Sequence, residues 1–69
     1  MRNDLRERRA AAGLSQERLA ELLGVSRQTV ISIERGRFDP SLDLAFRIAA
    51  TFGVPIEHVF FPDPPAAPQ

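Results

Sequence analysis

Between Ser26 and Arg37 the chain reads SRQTVISIERGR. At about 100° per residue, a helix here would put Val30 and Ile33 on one side. Arg27, Gln28, Ile31, Ser32 and Arg35 would fall on the other. That second face combines a guanidinium fork, a carboxamide, a hydroxyl and a β-branched apolar group. Arg pairs with the guanine edge, Gln with the adenine edge and Ser with either, while an apolar side chain meets the thymine methyl. The chemistry open to such a face is recognition of base edges, with no bond made or broken. No nucleophile with a matching base, no metal-ligand cluster and no phosphate-cradling Gly loop can be picked out of the sequence, so an enzyme is not expected. Glu17 and Glu21, spaced i,i+4, read as a solvated helix face.

Those residues have to be held by the stretch that contains them, SQERLAELLGVSRQTVISIERG over 15–36. It predicts two short helices, about 16–23 and about 27–35, joined by a turn at Gly24. Ser15 and Ser26 sit where a side-chain oxygen can cap each helix. Gly24 and Gly36 stand at positions that favour a left-handed residue. The first helix brings Leu19, Ala20, Leu22 and Leu23, and Ala20 is small enough for a neighbouring helix to approach. Two short helices around a Gly-containing turn, the second with a recognition face, are the signature of a helix-turn-helix.

Together LSQ at 14–16, LAELLGVS at 19–26, ISIERG at 31–36 and DPS at 39–41 make the chain resemble the lambda-repressor/Cro-like, or XRE, family of helix-turn-helix regulators over residues 3–60. The resemblance implies an all-α, five-helix DNA-binding domain over 1–61, followed by a Pro-rich tail over 62–69. It implies a sequence-specific regulator of transcription, expected to be a repressor, whose third helix enters the major groove of double-stranded DNA. Position by position it assigns base reading to Arg27, Gln28 and Ser32, with Ile31 as a methyl contact. Gln16 aligns with a glutamine that fixes a phosphate and braces the first reading residue. Ser26, Thr29, Arg35 and Arg37 are then backbone candidates. Regulators of this kind bind as two-fold dimers, so a homodimer is expected, with Phe46, Phe60, Phe61 and Pro62 as its apolar patch. A second reading is an antitoxin-like or accessory module whose main partner is another protein. Against it stands the intact Arg27, Gln28 and Ser32 face.

The totals bound these readings. Sixty-nine residues make one domain, near the size at which a single core suffices without staples. There is no cysteine, which removes disulfides and thiol metal sites. No apolar run approaches a membrane span, and charges interrupt the N-terminal segment, so a cytoplasmic protein is expected. Neither a cofactor nor a small-molecule ligand is indicated. Net charge is zero, but residues 1–37 hold eight Arg against five acids and residues 38–69 one Arg against four. A neutral domain polarised in this way suits a protein that presents one face to DNA. All nine bases are Arg, which fits bidentate contacts to phosphate and guanine.

The remaining elements follow in order. A first helix over 3–12 begins near Asn3 or Asp4, with Asp4 and Glu7 as a capping box and Gly13 as its end. Leu5, Arg9 and Ala12 share a side, which places an arginine in an apolar stripe where it needs a partner. The family resemblance supplies Glu34. Phe38 is expected to anchor the loop before the fourth helix, which Ser41 caps and Gly53 ends. Its inner stripe is Leu42, Ala45, Ile48, Ala49 and Phe52, with Leu44 and Phe46 outside. Val54-Pro55 leads into a fifth helix over 56–60 that turns Ile56, Val59 and Phe60 inwards. The family often has Ser where Pro55 stands. His58, the one histidine, has no second ligand residue beside it and reads as a partly exposed helix position. The segment PDPPAAPQ is expected to be extended or disordered.

Overall fold

Capping decides where each helix starts. In a computed structural model, which describes residues 1–62, the helices are α1 (Leu5–Ala11), α2 (Gln16–Leu23), α3 (Arg27–Glu34) and α4 (Leu42–Phe52). Ser15 Oγ accepts from the Arg18 amide at 2.9 Å, Ser26 Oγ from Thr29 at 3.1 Å and Ser41 Oγ from Leu44 at 3.1 Å. Each satisfies one of the amides that a first turn leaves without a partner. Gly24 ends α2 at φ 71°, and the Val25 amide reaches back to the Ala20 carbonyl at 3.0 Å. The chain is thereby turned within three residues, Gly24 to Ser26, and α3 is set across α2.

All four helices contribute to one core. Leu5 comes from α1, Leu19 and Leu23 from α2, Val30 and Ile33 from α3 and Ile48 from α4, and Val59 closes it. Burying each such side chain contributes about 2 kcal/mol. Leu14, Val25, Phe52, Val54 and Ile56 pack partly buried around this centre.

The fifth helix does not form. After Pro55 there is a single 3₁₀ turn, Ile56–His58, and the chain then extends as β2 (Phe60–Phe61). β2 pairs antiparallel with β1 (Arg2–Asn3) in the register Arg2↔Phe61 and Asn3↔Phe60. The described part is thus four helices with a two-stranded ladder joining its ends. Three residues of 3₁₀ bring Val59 and Phe60 into the core as the expected helix would have done, and pairing with β1 satisfies the backbone beyond them. Phe60 is buried in the monomer, whereas Phe61 is half-buried and Pro62 exposed. Residues 63–69, most of the expected tail, lie outside the described residues.

Two helices also begin or face differently from the sequence expectation. Asp4 makes no capping bond. Its carboxylate takes Arg8 Nε at 3.1 Å instead, and Asn3 Oδ1 accepts from the Leu5 amide at 3.1 Å. Asn3 Nδ2 also donates to the Ile33 carbonyl at 2.8 Å, so one carboxamide ties the start of α1 to the end of α3. On α4, Leu44 is buried and Leu42 is 67% exposed, reversing the expected stripe at its first turn. Phe46 is exposed. Phe38, expected at the core edge, is 46% exposed. Ala12, on the expected inner side of the first helix, is exposed at its C-terminal end, and Leu22 is half exposed.

Candidate nucleic-acid interface

α3 presents its two faces as its periodicity requires. Val30 and Ile33 are fully buried, and on the other side Arg27 and Gln28 are exposed. Ile31 and Ser32 are part-buried at the edge of that face, and Arg35 is exposed at the C-cap. Residues 27, 28, 31, 32 and 35 therefore form one outward surface on a rigid helix whose opposite side is locked in the core.

The start of α3 is stiffened by its cap. Ser26 Oγ and Thr29 Oγ1 lie 2.9 Å apart in a mutual hydrogen bond. One hydroxyl spends its hydrogen on the other, and the accepting one keeps its own hydrogen for an oxygen ligand. After α3, Gly36 at φ 73° lets the chain turn away, and Arg35 and Arg37 stand exposed on either side of it. The Arg37 amide is held by the Ser32 carbonyl at 3.0 Å.

Beside this surface a three-helix junction is built on Glu34. Its carboxylate accepts Arg9 Nε at 2.6 Å and Nη2 at 3.4 Å from α1, and Gln16 Nε2 at 3.1 Å from α2. Arg9 Nη1 goes to the Leu14 carbonyl at 2.8 Å. The Glu34 side chain is 4% exposed and that of Arg9 15%. The structure thus brings Arg9 and Glu34 together, with Gln16 added to the pair. Gln16 is oriented by Glu34, where the family resemblance had it bracing Arg27. Above the junction opens a cleft of about 420 Å³ lined by Arg6, Arg9, Gln16, Arg27, Glu34 and Arg35, and Ile31 also borders it.

Two residues escaped sequence reasoning. Arg6 lines this cleft, and its signal was the i,i+3 spacing from Arg9 on one helix side. Arg47 of α4 donates Nη1 to the Leu23 carbonyl at 2.7 Å, fixing the C-terminal end of α2. Nothing in the local pattern marks that bond, because its acceptor is a main-chain group 24 residues away. Of the apolar residues expected at a dimer contact, Phe46, Phe61 and Pro62 reach the surface and Phe60 does not. Among the described residues, no three of His, Cys, Asp and Glu gather where a metal could sit, and no helix is long and apolar enough to cross a membrane.

Residues 5–59 match the helix-turn-helix family HTH_3. This chain belongs to that family. Two relatives are similar along nearly their whole length. An HTH-type transcriptional regulator of Methanocaldococcus jannaschii is 60% identical over 60 residues, covering 87% of this chain and 91% of its own. One from Methanothermobacter thermautotrophicus is 53% identical over 64 residues, covering 91% and 93%. Among solved structures, the restriction-modification controller protein C.AhdI from Aeromonas hydrophila superposes with a TM-score of 0.73 at 41% identity, covering 81% of this chain and 85% of that one. The HTH_3 protein described here is accordingly a transcriptional regulator of the XRE type with a helix-turn-helix DNA-binding fold.

Proposed function

We propose that this HTH_3 regulator binds specific duplex DNA through the major groove, with α3 as the reading helix, and acts as a repressor. The observation that carries the reading is the outward face of α3. Arg27 and Gln28 are exposed at its N-terminal end and Ile31 and Ser32 lie one turn further on. This is the arrangement by which a recognition helix presents its first residues to base edges. Arg27 is assigned to guanine, Gln28 to adenine, Ser32 to either and Ile31 to a thymine methyl. Gln16 on α2, Ser26 in the turn, Thr29 in α3, Arg35 at its C-cap and Arg37 in the loop are assigned to the phosphates that fix register.

An eight-residue helix spans few base pairs, so affinity calls for two copies. The protein acts as a two-fold dimer on half-sites about 34 Å apart. Phe46, Phe61 and Pro62 supply the apolar contact, and Phe60 supports it from within the core. Repression then follows from occupancy of the site, which needs no effector domain.

Selection from random duplexes by the wild-type protein and by Gln28→Ala tests this. The wild type should return a palindrome with half-sites one helical turn apart. Gln28→Ala should lose discrimination at one position per half-site, by about 1–3 kcal/mol. A selection with no consensus, or one indifferent to Gln28, would overturn base reading by α3. A single unrepeated half-site would overturn the dimer.

A further inference from the structure

We infer that Arg47 of α4 is a positioning residue for base discrimination, holding the reading end of α3 through the Leu23 carbonyl. The inference rests on the groove-reading role of α3 proposed above. α3 is fastened unevenly along its length. Among the described residues, every side-chain hydrogen bond that reaches it from another helix or strand lands on its last turn. Asn3 donates to the Ile33 carbonyl, and Arg9 and Gln16 donate to the Glu34 carboxylate. At the other end Arg27 and Gln28 stand exposed, and the first residue of α3 to enter the core is Val30. That end hangs on the turn from Gly24 to Ser26.

Arg47 grips the turn at its root. The last four carbonyls of a helix lack partners within it, and in α2 the Gly24 and Val25 amides reach back to Glu21 and Ala20 at 3.2 and 3.0 Å. Leu23, the last residue of α2, gives its carbonyl to Arg47 Nη1 at 2.7 Å. α2 has no basic residue in its own last turn, so α4 supplies the cation that the negative end of the α2 dipole favours. A charge-assisted bond of this length is one of the stronger kind. Asp43, one turn earlier on α4, aims the guanidinium, its Oδ2 lying 3.3 Å from Nε. Only Gly24, Val25 and Ser26 separate Leu23 from Arg27, too few residues to absorb a shift at the end of α2. An eight-residue helix is about 12 Å long, so a tilt of about 5° around its fastened end moves the reading end by about 1 Å. A displacement of that size loosens a bidentate contact. Arg47 does not border the cleft beside the reading face, and its side chain is 51% exposed. Its role is therefore separable from DNA contact and from the core.

The test compares wild type, Arg47→Met and Arg47→Lys on a selected duplex, on duplexes altered at single base pairs and on an unrelated duplex. Binding is measured at a temperature where each protein is fully folded. Met keeps the apolar stem and loses the bond, whereas Lys keeps a donor and the charge. Arg47→Met should bind the selected duplex about tenfold more weakly, a loss within what one base contact supplies. Its affinity for the unrelated duplex and its slope of log K against log salt should match wild type. The lost discrimination should fall at the base pairs read by Arg27 and Gln28, and Arg47→Lys should recover most of it. In NMR spectra of Arg47→Met the amide signals of residues 24–28 should shift while those of Ile33 and Glu34 stay in place. Should Arg47→Met not fold, Asp43→Asn, which keeps the guanidinium without its aim, should lower the ratio of selected to unrelated binding by a smaller factor. Unchanged discrimination by the folded variant would overturn the positioning role alone. Equal weakening on both duplexes with a shallower salt slope would make Arg47 a phosphate contact, which also overturns it. Failure of the wild type to discriminate between duplexes would overturn the groove reading, and the positioning role with it.

Discussion

Arg9 bonds through each of its three guanidinium nitrogens to two partners, the Glu34 carboxylate and the Leu14 carbonyl. Removing it would leave a 4% exposed carboxylate with only the Gln16 amide to oppose its charge. Breaking a buried pair from one side costs about 3 kcal/mol, well above an exposed pair. Arg9→Ala should therefore lower the melting temperature by about 10–20 °C; a melt within a degree or two of wild type would show the pair to be surface decoration. Single residues were legible to different depths. Arg27, Gln28 and the two buried apolar positions of α3 follow from helical period alone. The partner of Arg9 followed only from resemblance, since nothing local points across 25 residues to Glu34. Asn3 was read as a start signal only, and its second bond, to Ile33, was invisible for the same reason.

At the scale of elements, α2, the turn and α3 could be read most closely because their stop and start signals are local. Ser15, Gly24 and Ser26 each act within three or four residues. Gly24 at φ 71° has nothing within 4 Å of where a Cβ would stand, so an alanine there meets strain and no clash. The left-handed conformation costs an L-residue about 1–2 kcal/mol. Gly24→Ala should destabilise by that amount in chemical denaturation, and Gly24→Asn by less, since Asn tolerates the conformation better. Equal stability of the alanine variant and wild type would mean that the turn relaxes out of the left-handed region. The C-terminal element was misread because its pairing is non-local. Apolar residues at 56, 59 and 60 suit one turn of helix as well as a 3₁₀ turn running into a strand. Only the arrival of Arg2 and Asn3 beside Phe60 and Phe61 decides between them. Leu42 and Leu44 exchanged places for a related reason. Both lie in the first turn of α4, where period alone constrains facing poorly.

At the scale of the molecule, charge and core divide the labour. The apolar sides of α2 and α3 are buried against α1 and α4, and four of the eight arginines of the N-terminal half, Arg6, Arg9, Arg27 and Arg35, line the cleft beside the free face of α3. The sequence carried that polarity as a charge difference between its halves. It did not carry the convergence of Arg6 with Gln16 and Arg35, which needs three helices in place. Methylation protection tests the proposed placement of α3 in the major groove. Dimethyl sulfate modifies guanine N7 in the major groove and adenine N3 in the minor groove. On a selected duplex the wild-type protein should protect guanine N7 within each half-site, and Arg27→Ala should lose that protection at one guanine per half-site while still binding. Protection confined to adenine N3, with guanine N7 open throughout the bound site, would place the protein in the minor groove and contradict the account.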